Sequence, residues 1–150
     1  MSDSIYITEE TINPFLKLFN GEGVFNGLGV DALKSTYSWS IPDNAEEMFG
    51  EIEGNDLYSR NVALKFAIQT RWKEDVGSRR KIIKWIISDW GGINGNRPKT
   101  LEKFARLMEM GLKEIPFTGI ASFSKVLSVY EPKRYAIYDA RVAVSLNAIQ

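Results

Sequence analysis

A chain of 150 residues, 44% hydrophobic and 25% charged, has room for one compact domain with a core and hardly for two. It has no cysteine and no histidine, which excludes disulfides, thiolate nucleophiles, iron–sulfur clusters, zinc-thiolate sites, a Ser-His-Asp triad and imidazole-ligated metals. The formal net charge of zero conceals a division: residues 1–58 carry two basic and eleven acidic side chains, a net −9, while residues 59–150 carry 17 basic and 8 acidic, a net +9.

That asymmetry points to a polyanion partner for the second part, nucleic acid first, or to two parts that neutralise each other. Any catalysis falls to carboxylates, lysines, hydroxyls or backbone groups. No apolar run is long enough to span a bilayer and the opening MSDSIYITEE is acidic, so the expectation is a soluble, cytoplasmic protein without a membrane partner.

In chain order, a helix is predicted from about Thr8, with Glu9 and Glu10 at its positive end, to the FNGEG stop at 19–23. VFNGLGV is a glycine-rich turn; no Lys-Ser or Lys-Thr follows, so it matches no phosphate-binding loop. STYSWSIP is a short strand or an extended loop, the extended part near 36–41. PDNAEEMFGEI opens a helix with Asp43 or Asn44 as cap and Glu46 and Glu47 in the first turn. NDLYSRNVALKFAIQTRWKE places Tyr58, Val62, Phe66 and Ile68 along one side. SRRKIIKWIISDW has the clearest pattern. Ser78 can cap it, Ile82, Ile83, Ile86, Ile87 and Trp90 line one face, and Arg80, Lys81, Lys84 and Ser88 line the other.

GGINGNRP ends that helix, and KTLEKFARLMEMGL spaces Leu101, Phe104, Ala105, Met108 and Leu112 for another. GIASFSKVLSVY and DARVAVSLNAI are two shorter helices joined by EPKRYAIY. The class is all-α, a helical bundle in a single domain over 1–150. The last helix stops while its apolar spacing is still running, which leaves open that the chain is a fragment or a short version of something longer.

The residues with chemistry in them lie late in the chain. Gly119 follows a Pro-containing turn and permits either positive φ or close approach of a phosphate. The amides of Thr118 to Ala121, at a helix start, are available to an anion, and Ser122 and Ser124 add hydroxyl donors. Asp139 stands at the first turn of the last helix; by local pattern it is an N-cap or a carboxylate on which a reaction depends. Lys125, by local pattern, is a solvated helix lysine.

The segment Lys113 to Leu146 resembles the helix-hairpin-helix DNA glycosylases, specifically the 8-oxoguanine DNA glycosylase-like branch. IPFTGIAS matches the hairpin at Pro116 and Gly119, and AIYDARVA matches the aspartate region at Asp139; IISDWGGINGN and KTLEKF are more weakly similar. Phe117 stands where the hairpin has its first glycine. Ala121 stands where bifunctional members have lysine, and Lys125 lies one turn further on, about 6 Å by helical rise.

The resemblance implies a hairpin that grips the DNA backbone through main-chain amides, often with a monovalent cation, and needs no other metal or cofactor. A damaged nucleotide rotates out of the duplex. Asp139 then stabilises positive charge on the sugar as the base leaves, or orients water. Lys125, as the replacement amine, attacks the sugar carbon and forms a Schiff base, giving AP lyase activity. Thr118, Gly119, Ala121, Ser122, Ser124, Arg141, Lys133 and Arg134 are the DNA-contact set, with Trp90, Phe117 or Tyr138 as wedge or base sandwich. The implied function is excision of an oxidised purine from double-stranded DNA. The chief rival, favoured by Ala121, is a non-catalytic DNA-binding or interaction module; a third reading is hydrolytic excision of another modified base, directed at foreign DNA.

Overall fold

The structure is a computed structural model that describes residues 33–110 and 119–138, together with eight positions between 13 and 26. The helix expected from Thr8 is helical at the described positions 13, 14, 16, 17 and 20; its start lies outside the described residues. The hairpin turn at 111–118 with Leu112, most of the glycine-rich 24–30 stretch, and the last expected helix from Asp139 also lie outside them.

The described residues are all-α. In order they form α1 (Leu33–Thr36), α2 (Ala45–Phe49), α3 (Leu57–Glu74), α4 (Arg79–Trp85), α5 (Pro98–Glu109) and α6 (Ile120–Tyr130). A 3-10 turn, Val76–Ser78, precedes α4, and a wider π turn, Ile86–Trp90, continues it. Residues 37–42 form a loop, so of strand and loop the segment takes the loop.

Helix α3 begins in a reciprocal cap. The Asp56 carboxylate accepts the Ser59 amide at 2.7 Å, and the Ser59 hydroxyl accepts the Asp56 amide at 3.2 Å. Its buried stripe is Asn61, Leu64, Ile68 and Trp72. The expected side of Tyr58, Val62, Phe66 and Ile68 does not hold, because Phe66 is 63% exposed. Steps of four overshoot a 3.6-residue period, so 58, 62 and 66 drift off the face that steps of three and four together keep inward.

Two expected caps are occupied otherwise. Ser78 does not cap α4. Instead Asp75 accepts the Ser78 hydroxyl and, at 3.1 Å, the Ser78 amide, which hold its carboxyl below the usual carboxylate range. Asn44 sits at the start of α2 without capping it; its Oδ1 accepts the indole N–H of Trp85 at 2.9 Å.

The core gathers around α4 and its π turn, where Ile82, Ile83, Trp85, Ile86, Ile87 and Trp90 are all buried. That arc is too wide for a helix with one wet side and one dry side, and α4 packs against α3 and α5 while its π turn packs against α6. Helix α5 opens with Pro98 in its first turn, where a missing amide costs nothing, and buries Phe104, Ala105 and Met108. Helix α6 starts from Gly119 in the left-handed region, φ 76°, and buries every residue from Ser122 to Val129. The rings of Phe104 and Phe123 stack at 4.7 Å between centroids, which joins α5 to α6. The Gln69 amide, donating to the Val129 carbonyl, joins α3 to α6.

Candidate functional site around Lys125

Lys125 is not a solvated lysine. It lies mid-way along α6, 2% exposed, among the largest fully buried side chains of the protein. Its stem crosses Gly91: a Cβ built there would stand 2.7 Å from Lys125 Cδ and as close to the carbonyl oxygens of Ile86 and Ile87. The residue after the π turn must therefore be glycine for the lysine to pass. The ammonium rests 4.9 Å from the centroid of the Trp39 indole, within cation–π range.

Trp39 is held from three directions. Its indole N–H donates to the Trp90 carbonyl at 3.0 Å, its own carbonyl accepts Asn61 Nδ2 at 2.8 Å, and its ring leans on that of Trp90 at 6.0 Å. Asn61 closes the circuit: Nδ2 also donates to the Leu57 carbonyl, and Oδ1 accepts the Trp90 indole N–H at 2.9 Å. A buried amide that uses both its donor and its acceptor stabilises the arrangement, whereas a half-satisfied one would cost about 1–3 kcal/mol. The Lys65 ammonium stands 5.8 Å from the Trp90 ring, and burial pushes its pKa below the usual lysine range. Two indoles are thus flanked by two amines.

An open groove of ≈ 630 Å³ runs beside this pair, bounded by Ser38, Trp39 and Ser40 on one side and by Asp89, Trp90 and Gly91 on the other. It offers an aromatic wall, two hydroxyls and a carboxylate. Trp39 and Gly91 both line it and both touch Lys125, so the groove and the buried amine share a wall.

The expected DNA-contact residues separate. Gly119 has the positive φ that its position allows, but the space on its Cβ side is filled by Phe104, whose Cζ is 3.0 Å from where that carbon would lie. Ala121 is partly buried. Ser122 and Ser124, expected to offer hydroxyls to DNA, are buried and used internally. Ser122 Oγ accepts Asn96 Nδ2 at 2.9 Å; Ser124 Oγ accepts the Tyr138 amide at 2.9 Å and donates to the Tyr138 carbonyl at 3.1 Å. A helix buried all round turns its small hydroxyls to partners inside the protein. Lys133 and Arg134 are exposed, Arg134 lying 3.7 Å from Glu131.

Among the expected wedges, Trp90 is a core residue at 4% exposure, fixed by its hydrogen bond to Asn61, and has no free edge to insert between bases. Tyr138 is 43% exposed with its backbone clamped to Ser124. Phe117, Thr118, Asp139 and Arg141 lie outside the described residues, as does the hairpin turn at which a monovalent cation was expected. Among the described residues no cluster of three acidic side chains could hold a metal, and no helix is long and apolar enough to cross a membrane.

Trp39, Asn61 and Lys65 were not singled out from the sequence. Asn61 carried a signal, since it heads the stripe that continues through Leu64, Ile68 and Trp72. Trp39 carried none, because its importance comes from a partner 51 positions away. Comparison with protein-family models, with curated proteins and with solved structures finds no match for this chain.

Proposed function

We propose that the chain is a DNA glycosylase-like protein of the helix-hairpin-helix type, releasing an oxidised purine of the 8-oxoguanine class from double-stranded DNA. One observation carries this reading. Ser124 clamps the backbone of Tyr138 through two hydrogen bonds, so the residue before Asp139 is fastened to the residue before Lys125. The two side chains that the resemblance makes catalytic therefore follow, in the chain, two residues held in direct contact. The ≈ 630 Å³ groove beside Trp39 falls in the range of small-ligand sites and offers an extruded base a stacking wall and polar edges.

In this mechanism the Lys125 ammonium first gives up a proton to water, and the free amine attacks the anomeric carbon of the deoxyribose. The bond to the base breaks, its electron pair and a proton go to the leaving base, and ring opening gives a Schiff base on the lysine. Asp139 stabilises the positive charge that develops on the sugar. Without lysine attack, a water directed by Asp139 completes hydrolysis.

The second reading, a non-catalytic DNA-binding or interaction module, is favoured by the enclosure of Lys125: at 2% exposure its amine meets a sugar only after the packing around it, Trp39 included, opens. The test is a panel of duplex oligonucleotides, each with one altered base, incubated with wild-type, Asp139→Asn and Lys125→Ala protein under borohydride. Base release with a covalent adduct lost in Lys125→Ala supports the first mechanism, and release without an adduct supports hydrolysis. Duplex binding with no release from any substrate replaces the enzyme reading by the second.

A further inference from the structure

A second feature lies away from Lys125, on the outer side of α5. Lys99, Lys103 and Arg106 follow one another at steps of four and three on the side opposite the buried Phe104, Ala105 and Met108. They project over roughly 10 Å of helix, by its rise per residue. With Pro98, Leu107 and Met110 they line an open groove of ≈ 580 Å³. Arg80 of α4 joins them, reaching Glu102 at 3.1 Å, and Arg106 approaches the same carboxylate at 3.8 Å. One carboxylate is shared by two guanidinium groups, while Lys99 and Lys103 form no ion pair among the described residues.

Two explanations were open for the division of charge along the chain. If the acidic and basic parts neutralised each other, ion pairs between them would be frequent. Of five ion pairs seen between described residues, one, Arg60 with Glu46 at 2.9 Å, crosses from 1–58 to 59–150. The positive charge of α5 and of the neighbouring Arg80 on α4 is left facing solvent, with side chains 72% exposed at Arg106 and 61% at Arg80.

We propose that this face, Arg80 with Lys99, Lys103 and Arg106, is a docking surface for the phosphate backbone of duplex DNA. The proposal rests on the reading of DNA as the partner and adds where the duplex lies. A duplex presents one negative charge per about 1.7 Å of its axis, so a cationic row of this length faces several phosphates whatever the base sequence. Such contacts position the protein and raise its affinity without reading sequence. The Leu107 and Met110 edge of the groove packs on sugar carbons beside the phosphates.

The test measures binding of the full chain to a labelled, lesion-free duplex by fluorescence anisotropy over a series of potassium chloride concentrations. Lys99→Gln, Lys103→Gln and Arg106→Gln are combined in one variant; Lys73→Gln, an exposed lysine at the end of α3, is the control. Each lost phosphate contact removes about 0.9 from the slope of log affinity against log salt, so the triple variant's slope is expected to be shallower by about 2–3. Its affinity near 0.1 M salt is expected to fall by more than about tenfold while the control and the far-ultraviolet circular dichroism stay unchanged. An unchanged slope overturns the proposal, as does a loss no larger than that of Lys73→Gln, or tighter binding to an acidic peptide or single-stranded RNA than to duplex. Slope loss in the triple variant, with no base released from any altered duplex by wild-type protein, keeps this surface and removes the enzyme reading. Base release with an unchanged slope does the reverse.

Discussion

Helices α5 and α6 have nearly the same length, 12 and 11 residues, and meet through the stacked rings of Phe104 and Phe123, yet they treat water in opposite ways. α5 buries three residues on one face and leaves a cationic face to solvent; α6 buries eight consecutive residues, three serines and a lysine among them. The first arrangement suits a surface that meets a large charged partner. The second is a central strut whose polar groups must each be satisfied within the protein, by Asn96, by the Tyr138 backbone, by the Lys125 carbonyl and by Trp39. Placing an amine in such a helix is costly, and that cost is what sets Lys125 apart from the exposed lysines of α3 and α5.

The comparison can be broken at the contact between the helices. Phe123→Ala is expected to lose about 3–5 kcal/mol in urea unfolding, as large-to-small changes at fully buried rings do. A double-mutant cycle with Phe104→Ala should show a coupling of about 0.5–1.5 kcal/mol; losses that simply add would mean that the rings do not hold the two helices together. Next in size is Gly91→Ala, expected to cost about 1–3 kcal/mol, because the new methyl meets two carbonyl oxygens and the stem of Lys125 at 2.7 Å. A neutral outcome would show that Lys125 does not lie across this turn.

Ser124→Ala sharpens the contrast from the α6 side. Losing both hydrogen bonds to Tyr138 is expected to cost about 1 kcal/mol and to speed amide exchange at Tyr138, with exchange in α5 unchanged. On the α5 side, Lys99→Ala should stay within about 0.5 kcal/mol of wild type, since an exposed residue without an ion pair contributes little to folding. A larger loss would make this face structural rather than free for a partner.

The smallest effect is one of pH. Burial lowers the pKa of Lys65 in the folded protein, so in the window between that lowered value and the usual 10.5 the unfolded chain holds more protons. Stability should therefore rise with pH across that window, and Lys65→Met should flatten the rise. A Lys65→Met variant whose stability changes with pH across that window just as wild type does would contradict the burial of this amine.

Much of α4, α5 and the all-α class was legible because the information is local. Isoleucines at 82, 83, 86 and 87, and Phe104, Ala105 and Met108, mark their buried sides by spacing alone. The face of α3 was misread because Val62 and Phe66 are apolar and exposed while Asn61 is polar and buried, so hydrophobicity pointed the wrong way at both ends. The caps stand where the sequence placed them, at Asn44 and Ser78, but neither side chain closes its helix, because Trp85 and Asp75 take those groups instead.

What the amino-acid sequence determined by itself is helix content, the division of charge and the exclusion of thiol and imidazole chemistry, all of which follow from composition and short-range period. Only the tertiary structure decided that Lys125 is enclosed, that Trp39 covers it, that Gly91 makes room for it and that Ser124 fastens Tyr138 beside it. Each of these depends on atoms from segments distant in the chain converging on one helix. Whether a lysine at helical spacing faces water or an indole is set by what packs over it, and no local pattern encodes that.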